Sequence, residues 1–356
     1  MMKRIGILTS GGDCPGLNAV IRGVAKASYE TMDDVEFIGI QEGYGGLIDG
    51  DYIKLEKKDF SGILTLGGTI LGTSRRPFKM MSVIEDDNVD KVASMVNNYE
   101  KMKLDCLLTL GGNGTHKTAN LLSKQGLNVI GLPKTIDNDI FGTDVTFGYH
   151  TAIDIATECI DRLHTTASSH GRTIVCEIMG NKAGWLTLSS GIAGGADVVI
   201  LPEQPFDIED VCAMVEKRAN KGKNFSIVAI AEGAMTKAEA KMKKKDRAKA
   251  RDEAGITTLT QYVAKQIEMG TGLEARTCIP GHIQRGGSPS AYDRLLSTQF
   301  GVHAADLIKN KTYGVTVAKV NGKITHNNLA DIAGIPKLVP ADHELCDIAR
   351  KLGILL

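Results

Sequence analysis

An apolar segment, a loop that contains glycine and an amphipathic segment follow one another repeatedly along the chain. Ile5–Thr9, for example, precedes the loop Ser10–Gly16, and Leu17–Tyr29 has the spacing of an amphipathic helix. Short buried strands that alternate with helices are typical of βαβ units, in which neighbouring strands run parallel. The sequence therefore predicts an α/β fold with mostly parallel sheets.

The remaining elements are predicted from apolar runs and from helical periodicity. The predicted strands are Cys106–Leu110, Val129–Leu132, Thr173–Met179, Val198–Leu201 and Ile227–Ala231. The predicted helices are one that follows the loop Gly111–Thr115 and runs to about Lys124, His150–Ala167 and about Asp207–Lys221. The highly charged segment Lys237–Glu253 is predicted to be a solvated helix or a mobile excursion. Asn321-Gly322 predicts a two-residue hairpin turn, because both residue types tolerate the positive φ that such a turn requires.

Length and composition narrow the class of protein. With 356 residues the chain exceeds the usual size of one domain, so we expect two. Lys plus Arg equals Asp plus Glu at 42 each, which argues against non-specific nucleic-acid binding. The seven cysteines are scattered, a distribution that favours reduced thiols. No apolar run reaches the ~18 residues of a membrane span and no secretory signal is visible. We expect a cytoplasmic protein.

Two glycine-rich loops are candidates for phosphate binding. Gly11–Gly16 and Gly111–Thr115 each lie between a predicted strand and a predicted helix. Backbone N–H groups and the helix dipole at such a position favour an anion. Neither loop has the Gly-Lys-Ser/Thr ending of a Walker A motif or a complete dinucleotide-binding pattern. Taken alone, each loop is equally well read as a structural turn.

The segment Pro133–Asp139 concentrates functional groups, because it carries two carboxylates, an amide, a hydroxyl and an ammonium. One carboxylate can accept a hydroxyl proton while the second holds Mg²⁺. The alternative is a helix cap in which Asp137 or Asp139 accepts hydrogen bonds from the backbone.

Histidine and arginine stand three residues apart in the glycine-flanked segment Gly281–Pro289. His282 and Arg285 could grip a phosphate, to which a guanidinium gives bidentate hydrogen bonds. Arg172 and Arg276 also follow or lie in predicted strands. The alternative for each arginine is a carboxylate partner within the protein.

Together these segments resemble the phosphofructokinase family from about Arg4 to Ile308. TSGGDCPGLNAVIRG, GLPKTIDNDI, SSHGR, AIAEG and GHIQRGGSP occur in the order and at the spacing of that family. The resemblance implies two Rossmann-like three-layer domains with mostly parallel sheets and an active site in the interdomain cleft. The phosphoryl-donor domain would comprise 1–148 plus about 284–334, and the sugar-phosphate domain 149–283 plus about 335–356.

The resemblance also implies an activity and a set of site residues. The family phosphorylates the 1-hydroxyl of fructose 6-phosphate, a glycolytic step, using Mg²⁺ and usually ATP. Asp137 would be the general base, with Thr135 and Arg75 as further catalytic residues. The donor would be bound by Gly12, Tyr44, Arg75, Arg76, Gly112, Asn113, Gly114 and Thr115. The substrate would be bound by Thr135, Asp137, Arg172, Met179, Gly180, Asn181, Glu232, Arg276, His282 and Arg285. Asn113 and Asp139 would hold the metal.

By the same resemblance, Arg172 and Arg276 reach the 6-phosphate of a sugar bound to a neighbouring subunit, which implies a homotetramer. Arg22, Lys26, Asp197, Lys221 and Lys223 partly match the effector site of short bacterial members. For this set we favour a basic helix face.

The chain departs from the family pattern at positions that affect the choice of phosphoryl donor and the rate of phosphoryl transfer. Asn113 replaces a common aspartate, and Asn181 replaces a common arginine. Gly114 is typical of ATP users, whereas Lys134 is shared by pyrophosphate users and by one branch of ATP enzymes. We favour ATP and keep pyrophosphate as the alternative donor. A catalytically weak, sugar-phosphate-binding regulatory subunit is a third hypothesis.

Overall fold

A computed structural model describes residues 2–84 and 89–356 of the chain. Contacts divide the chain into two compact units. Unit 1 comprises the residues up to Thr151 together with Arg285–Lys337, and unit 2 comprises Ala152–Gln284 together with Leu338–Leu356. The assignment of donor and sugar phosphate to separate domains stays a prediction.

Eleven strands are present in the described residues: β1 Lys3–Thr9, β2 Val35–Ile40, β3 Tyr52–Leu55, β4 Cys106–Gly111, β5 Val129–Pro133, β6 Thr173–Ile178, β7 Val198–Ile200, β8 Ser226–Ala231, β9 Ala275–Cys278, β10 Val315–Val320 and β11 Lys323–Asn328. Each strand predicted from the sequence is found within two residues of its predicted bounds.

The same residues contain thirteen α-helices: α1 Leu17–Thr31, α2 Tyr44–Asp49, α3 Lys91–Lys101, α4 Asn113–Lys124, α5 Tyr149–His170, α6 Trp185–Ala193, α7 Ile208–Asn220, α8 Lys237–Ala240, α9 Lys244–Glu253, α10 Leu259–Thr271, α11 Ala291–Lys309, α12 Leu329–Ile332 and α13 Glu344–Lys351. No helix in the described part of the chain is long and apolar enough to cross a membrane.

Unit 1 is built on a seven-stranded sheet in the order β11-β10-β5-β4-β1-β2-β3. The five inner strands run parallel, and the edge strands β3 and β11 are antiparallel to their neighbours. The apolar runs of β1, β4 and β5 are buried because helices cover both faces of such a sheet. The strand order reverses at β1, which pairs with β2 on one side and β4 on the other. Ligands bind outside the carboxyl ends of strands at such a reversal.

Unit 2 is built on a four-stranded sheet in the order β7-β8-β6-β9, in which every pair is parallel. Its core combines apolar side chains of β6, β7 and β8 with those of α7 and α10. Both sheets therefore confirm the predicted α/β class with mostly parallel strands. The charged segment forms α8 and α9, neither of which has a buried residue, as expected for a solvated region.

The predicted hairpin turn is also present. β10 and β11 pair antiparallel, with Val320 opposite Lys323, and the two residues between them have positive φ, 51° at Asn321 and 77° at Gly322. This hairpin completes the outer edge of the sheet in unit 1.

A buried carboxylate joins the starts of two helices in unit 1. Asp293, in the first turn of α11, is fully buried and accepts hydrogen bonds from Gly148 N at 3.0 Å and from Thr151 N at 2.7 Å. Thr151 Oγ1 donates a third at 2.6 Å. Burial raises the pKa of Asp293, while these bonds oppose the shift. The carboxylate thus satisfies N–H groups at the start of α5 that have no partner within the helix.

We expect Asp293→Ala to lower the free energy of unfolding by about 3 kcal/mol, because it leaves buried donors without an acceptor. Urea unfolding followed by circular dichroism measures this change. Asp306→Ala is a matched control, since Asp306 lies exposed on the same helix; it should change stability by no more than ~0.5 kcal/mol. A loss below about 1 kcal/mol for Asp293→Ala would contradict this account.

Candidate active site

The carboxyl ends of β1, β4 and β5 border a pocket of about 320 Å³ whose lining residues all belong to unit 1. The pocket lies where the strand order of the sheet reverses. Its lining is Ser10, Gly11, Gly12, Tyr44, Arg75, Arg76, Pro77, Phe78, Gly112, Asn113, Gly114, Thr115, Thr118, Lys134, Thr135, Asp137, Asp139 and Arg285. Every donor-binding, catalytic and metal-binding residue predicted from the sequence is in this set.

Positive charge is concentrated beside Gly12. A Cβ atom at this position would lie 2.9 Å from Arg75 Nη2 and 3.0 Å from Arg285 Nη1, so only glycine fits without displacing both guanidinium groups. Arg285 Nη1 donates to the carbonyl oxygen of Asp13 at 3.2 Å, and its Nε is buried without a hydrogen-bond partner among the described residues. Guanidinium groups held in this way are suited to phosphate oxygens.

Lys134 adds a third cation to the same place. Its ammonium donates to the carbonyl oxygen of Gly12. Burial lowers the pKa of Lys134, and the positive charges of Arg285 and Arg75 lower it further. An anion in the pocket would favour the charged form of this lysine.

The loop after β5 holds the predicted base. Asp137 N donates to Thr135 Oγ1 at 3.0 Å, and Thr146 Oγ1 donates to the carbonyl oxygen of Thr135 at 2.7 Å. The loop is thus fixed by short-range bonds and by a contact with residue 146. Both Asp137 and Asp139 border the pocket.

Asn113 and Asp139 form the predicted metal site. Asn113 Nδ2 donates to the carbonyl oxygen of Asp139 at 2.9 Å and to its carboxylate Oδ2 at 3.2 Å. Asn113 Oδ1 is buried and has no hydrogen-bond partner in the part of the chain that the structure describes. An amide oxygen beside a carboxylate fits Mg²⁺, which takes oxygen ligands and shares them with phosphates and water. Within residues 2–84 and 89–356, no three or more His, Cys, Asp or Glu side chains are grouped so that they could hold a metal ion.

Two buried side chains hold the glycine loop Gly111–Thr115, which follows β4. His116 is fully buried, and its Nδ1 lies 3.0 Å from Gly112 O while its Nε2 lies 2.9 Å from Thr316 Oγ1. Burial lowers the pKa of His116. Tyr44 Oη donates to Thr115 O at 2.9 Å. A Cβ atom on Gly114 would meet no atom within 4 Å, so the space beside it is open to a ligand.

The predicted sugar-phosphate residues other than Thr135, Asp137 and Arg285 lie in unit 2, most of them at the ends of β6 and β8. Gly233 N, next to Glu232, donates to Gly180 O at 3.1 Å and so joins the two strand ends. Met179 N donates to Gln284 Oε1 at 3.0 Å, which connects this region to the turn that carries His282. The structure therefore brings Met179–Asn181 close to Glu232, as expected for one binding region.

The two arginines predicted to reach a neighbouring subunit are paired with carboxylates of their own chain. Arg172 Nε lies 2.6 Å from Glu274 Oε2, Arg276 Nη1 lies 2.8 Å from Glu268 Oε1, and Arg276 also contacts Glu274. This is the arrangement of the alternative reading, in which each arginine has a carboxylate partner. Their role toward a second subunit stays a prediction.

Some of the residues that partly match the effector site lie around a second pocket, of about 450 Å³, in unit 2. Asp197, Lys221 and Lys223 line it together with Arg218, which pairs with Asp197 at 2.7 Å. Arg22 and Lys26 lie on α1 of unit 1.

Pro77, Phe78 and Thr118 line the pocket but were not predicted from the sequence. Ser10 and Lys134 were predicted only as members of the segments Ser10–Gly16 and Pro133–Asp139, and Lys134 also as a position that bears on the choice of donor. Phe78 follows Arg75-Arg76-Pro77 and begins the short 3₁₀ helix Phe78–Met80. An aromatic residue directly after two arginines and a proline was the available signal. Periodicity could not reveal it, because a single helical turn is too short to show a repeat.

Comparison with known proteins gives consistent results. The family model described as phosphofructokinase matches residues 4–308. An ATP-dependent 6-phosphofructokinase of Spirochaeta thermophila is 54% identical over 354 residues, covering 99% of this chain and 96% of the relative. A pyrophosphate–fructose 6-phosphate 1-phosphotransferase of Streptomyces coelicolor is 43% identical over 344 residues, covering 96% and 98%. The crystal structure of a pyrophosphate-dependent phosphofructokinase from Nitrosospira multiformis superimposes with a TM-score of 0.82 at 19% identity, covering 99% and 92%, and bears on the fold alone.

The buried His116 predicts a pH dependence of stability. Its folded-state pKa is depressed, so below the ordinary value of 6.5 the unfolded chain takes up a proton that the folded chain excludes. The free energy of unfolding should therefore fall as the pH drops below 6.5, by at most about 1.4 kcal/mol per pH unit for one proton. Urea unfolding of the parent and of His116→Gln between pH 7.5 and pH 5 measures this slope as their difference. Parallel curves for the two proteins would refute it.

The crowding at Gly12 predicts the effect of a single methyl group. Gly12→Ala should weaken binding of a polyphosphate anion about tenfold or more, because the methyl group displaces two guanidinium groups. Calorimetric titration with Mg-ATP and with Mg-pyrophosphate measures the affinity. Asp33→Ala, at an exposed site of unit 1 outside the pocket, is the control and should keep the parental affinity. Equal affinities of Gly12→Ala and the parent would show that these cations do not bind the anion.

Proposed function

The chain belongs to the phosphofructokinase family, and we propose that it transfers the terminal phosphoryl group of ATP to the 1-hydroxyl of fructose 6-phosphate. The observation that carries this proposal is the pocket of unit 1. It places a carboxylate, Asp137, in one cavity with the cations Arg75, Lys134 and Arg285. Phosphoryl transfer needs little more than a positioned base and fixed positive charge, because the phosphoryl group itself undergoes the bond changes.

Asp137 is the proposed general base. Its carboxylate accepts the proton of the 1-hydroxyl as the oxygen forms a bond to the γ-phosphorus and the bond from that phosphorus to ADP breaks. The products are fructose 1,6-bisphosphate and ADP. Thr135 holds the backbone of Asp137 through its hydroxyl and so fixes the approach of the carboxylate.

Arg75 and Arg285 are the proposed electrostatic catalysts. Negative charge spreads over the oxygens of the transferring group and the leaving group, and cations fixed beforehand stabilise it without reorganisation. Arg285 is suited to this role because its Nε is buried and has no other partner among the described residues. Arg76 also lines the pocket, and its Nη2 lies 3.9 Å from Asp49 Oδ2, a longer and weaker ion pair.

Asn113 and Asp139 are the residues that would hold Mg²⁺. When bound, the ion would supply positive charge that neutralises the charge of the donor phosphates. Asn113 provides an uncommitted amide oxygen, and its Nδ2 keeps the carboxylate of Asp139 alongside.

ATP is the proposed donor because of the space at Gly114. A nucleotide is larger than pyrophosphate, and the open volume beside Gly114 accommodates an α-phosphate that an acidic side chain would repel. The similarity at 54% identity to an ATP-dependent relative supports the same donor. Pyrophosphate is the second candidate, favoured by Lys134 in the pocket and by the pyrophosphate-dependent relative.

The sugar phosphate is proposed to bind Met179, Gly180, Asn181, Glu232 and His282. Glu232 is exposed and can accept a hydrogen bond from a sugar hydroxyl. His282 is exposed and can donate a hydrogen bond to the phosphate. Arg172 and Arg276 are proposed to contribute to a neighbouring subunit of a homotetramer in the cytoplasm. For that role each must exchange its carboxylate partner, Glu274 or Glu268, for phosphate.

The test is formation of fructose 1,6-bisphosphate from fructose 6-phosphate with Mg²⁺, with ATP and pyrophosphate run in parallel. We expect turnover with ATP, and a 10²- to 10⁴-fold lower kcat for Asp137→Ala, the usual contribution of a general base. Asp33→Ala, at an exposed site of unit 1, should retain the parental rate.

Three outcomes would change this account. Turnover with pyrophosphate alone would replace the donor. Full activity of Asp137→Ala would remove the proposed base. No turnover with either donor, from a folded chain that still binds fructose 6-phosphate, would favour the regulatory subunit.

A further inference from the structure

The loop that carries the predicted base contains a residue in a costly backbone conformation. Asn138, between Asp137 and Asp139, has a φ of 50°. A residue other than glycine adopts this left-handed region at an energetic cost and keeps it only when its surroundings hold it there. The directions of the carboxylates on either side depend on whatever holds Asn138.

A lysine far along the chain supplies part of that support, beside Thr146 N, which donates to Asn138 Oδ1 at 3.1 Å. Lys337 Nζ donates to Asn138 Oδ1 at 2.9 Å, to Thr143 O at 2.9 Å and to Asp144 O at 3.0 Å. The ammonium group has three donors and no acceptor. These bonds tie the side chain of Asn138 to the far end of its own loop.

The backbone of the same residue contacts the loop as well. Lys337 N donates to the carbonyl oxygen of Asp139 at 2.8 Å, and Pro336 forms a β-bridge with Ile140. Asn113 Nδ2 donates to the same carbonyl oxygen at 2.9 Å. Asp139 is therefore held from two sides, by the glycine loop after β4 and by the segment that ends unit 1.

We propose that Lys337 is a positioning residue for phosphoryl transfer, which fixes the loop Asp137–Asp139 so that both carboxylates face the pocket. The proposal rests on the proposed function, because it takes Asp137 as the base. Lys337 itself does not line the pocket, so it acts through the loop. It also lies beyond residue 308, where the match to the family model ends.

The geometry separates positioning from binding. Arg75, Lys134 and Arg285 line the pocket in which the donor is proposed to bind. None of the hydrogen bonds identified in the described part of the chain joins one of them to Lys337. Loss of the Lys337 ammonium should consequently misplace the base and leave substrate affinity nearly unchanged. A displacement of about 1 Å at a reacting group can cost 10²-fold in rate.

The experiment compares Lys337→Met and Lys337→Ala with the parent in the full chain. We expect kcat to fall about 10- to 100-fold in both variants, with KM for fructose 6-phosphate within about twofold of the parent. Ethylammonium added to Lys337→Ala should restore at least about a tenth of the parental kcat, because it can occupy the space left by the side chain. Ethylammonium should not restore the kcat of Lys337→Met, because the methionine side chain fills that space. Lys323→Met, an exposed lysine of unit 1, is the control.

Amide hydrogen exchange tests the loop without any turnover. In both Lys337 variants the amides of residues 137–146 should exchange at least about tenfold faster than in the parent, while those of β1 and β4 keep the parental rate. If the parent turns over no donor, the proposed function fails, and the exchange rates still decide whether Lys337 orders the loop.

Three results would overturn the proposal. One is a kcat within about threefold of the parent in both variants. The second is exchange that is unchanged in the loop, or accelerated throughout unit 1, since a general loss of stability is not positioning. The third is the absence of rescue in Lys337→Ala or equal rescue in Lys337→Met.

Discussion

The positive charge packed against Gly12 is the constraint on which the site of unit 1 depends. Two guanidinium groups and an ammonium approach the same backbone position, and like charges so close raise one another's free energy. The carbonyl oxygens of Gly12 and Asp13 accept hydrogen bonds from these cations, and the negative charge of Asp13 favours the charged form of Lys134. A polyphosphate in the pocket would lower the remaining cost. The protein thus holds its charges in place before the ligand arrives, which is the condition under which fixed charge lowers a transition-state barrier.

That arrangement requires the sheet of unit 1. β4 leads into α4 beside the reversal at β1, and the first residues of this helix, Asn113, Gly114 and Thr115, line the pocket. This helix start adds positive potential to that of the side chains. His116 and Tyr44 hold the loop Gly111–Thr115 from within the protein, so the loop is not free to move away from the charge it faces. Strand order, the helix dipole and buried polar bonds therefore act on the same pocket of about 320 Å³.

Features that depend on neighbouring residues could be predicted from the sequence, whereas features that depend on distant pairing could not. The hairpin at Asn321-Gly322, the functional cluster at Pro133–Asp139 and six of the parallel strands (β1, β4, β5, β6, β7 and β8) are encoded locally. The strand β3 was not predicted, since Tyr52–Leu55 is short and mostly exposed and pairs only at the sheet edge. Arg75 and Tyr44 were identified through the family resemblance alone. Lys337 lies about 200 positions from the loop it contacts, and no local pattern distinguishes it from the other lysines.

Asn113 can be understood in the same electrostatic terms. With an aspartate at this position, two carboxylates would lie at the 3.2 Å that now separates Asn113 Nδ2 from Asp139 Oδ2, and their repulsion would raise the pKa of one of them unless a metal were bound. The amide instead donates to Asp139 and still offers Oδ1 as an oxygen ligand. The substitution removes one negative charge from a pocket that must accept a polyanion. It also keeps Asp139 in place when the metal is absent, because a hydrogen bond replaces a repulsion. Asn113 therefore provides one of the two hydrogen bonds to the Asp139 carbonyl oxygen that order the site, and Lys337 N provides the other.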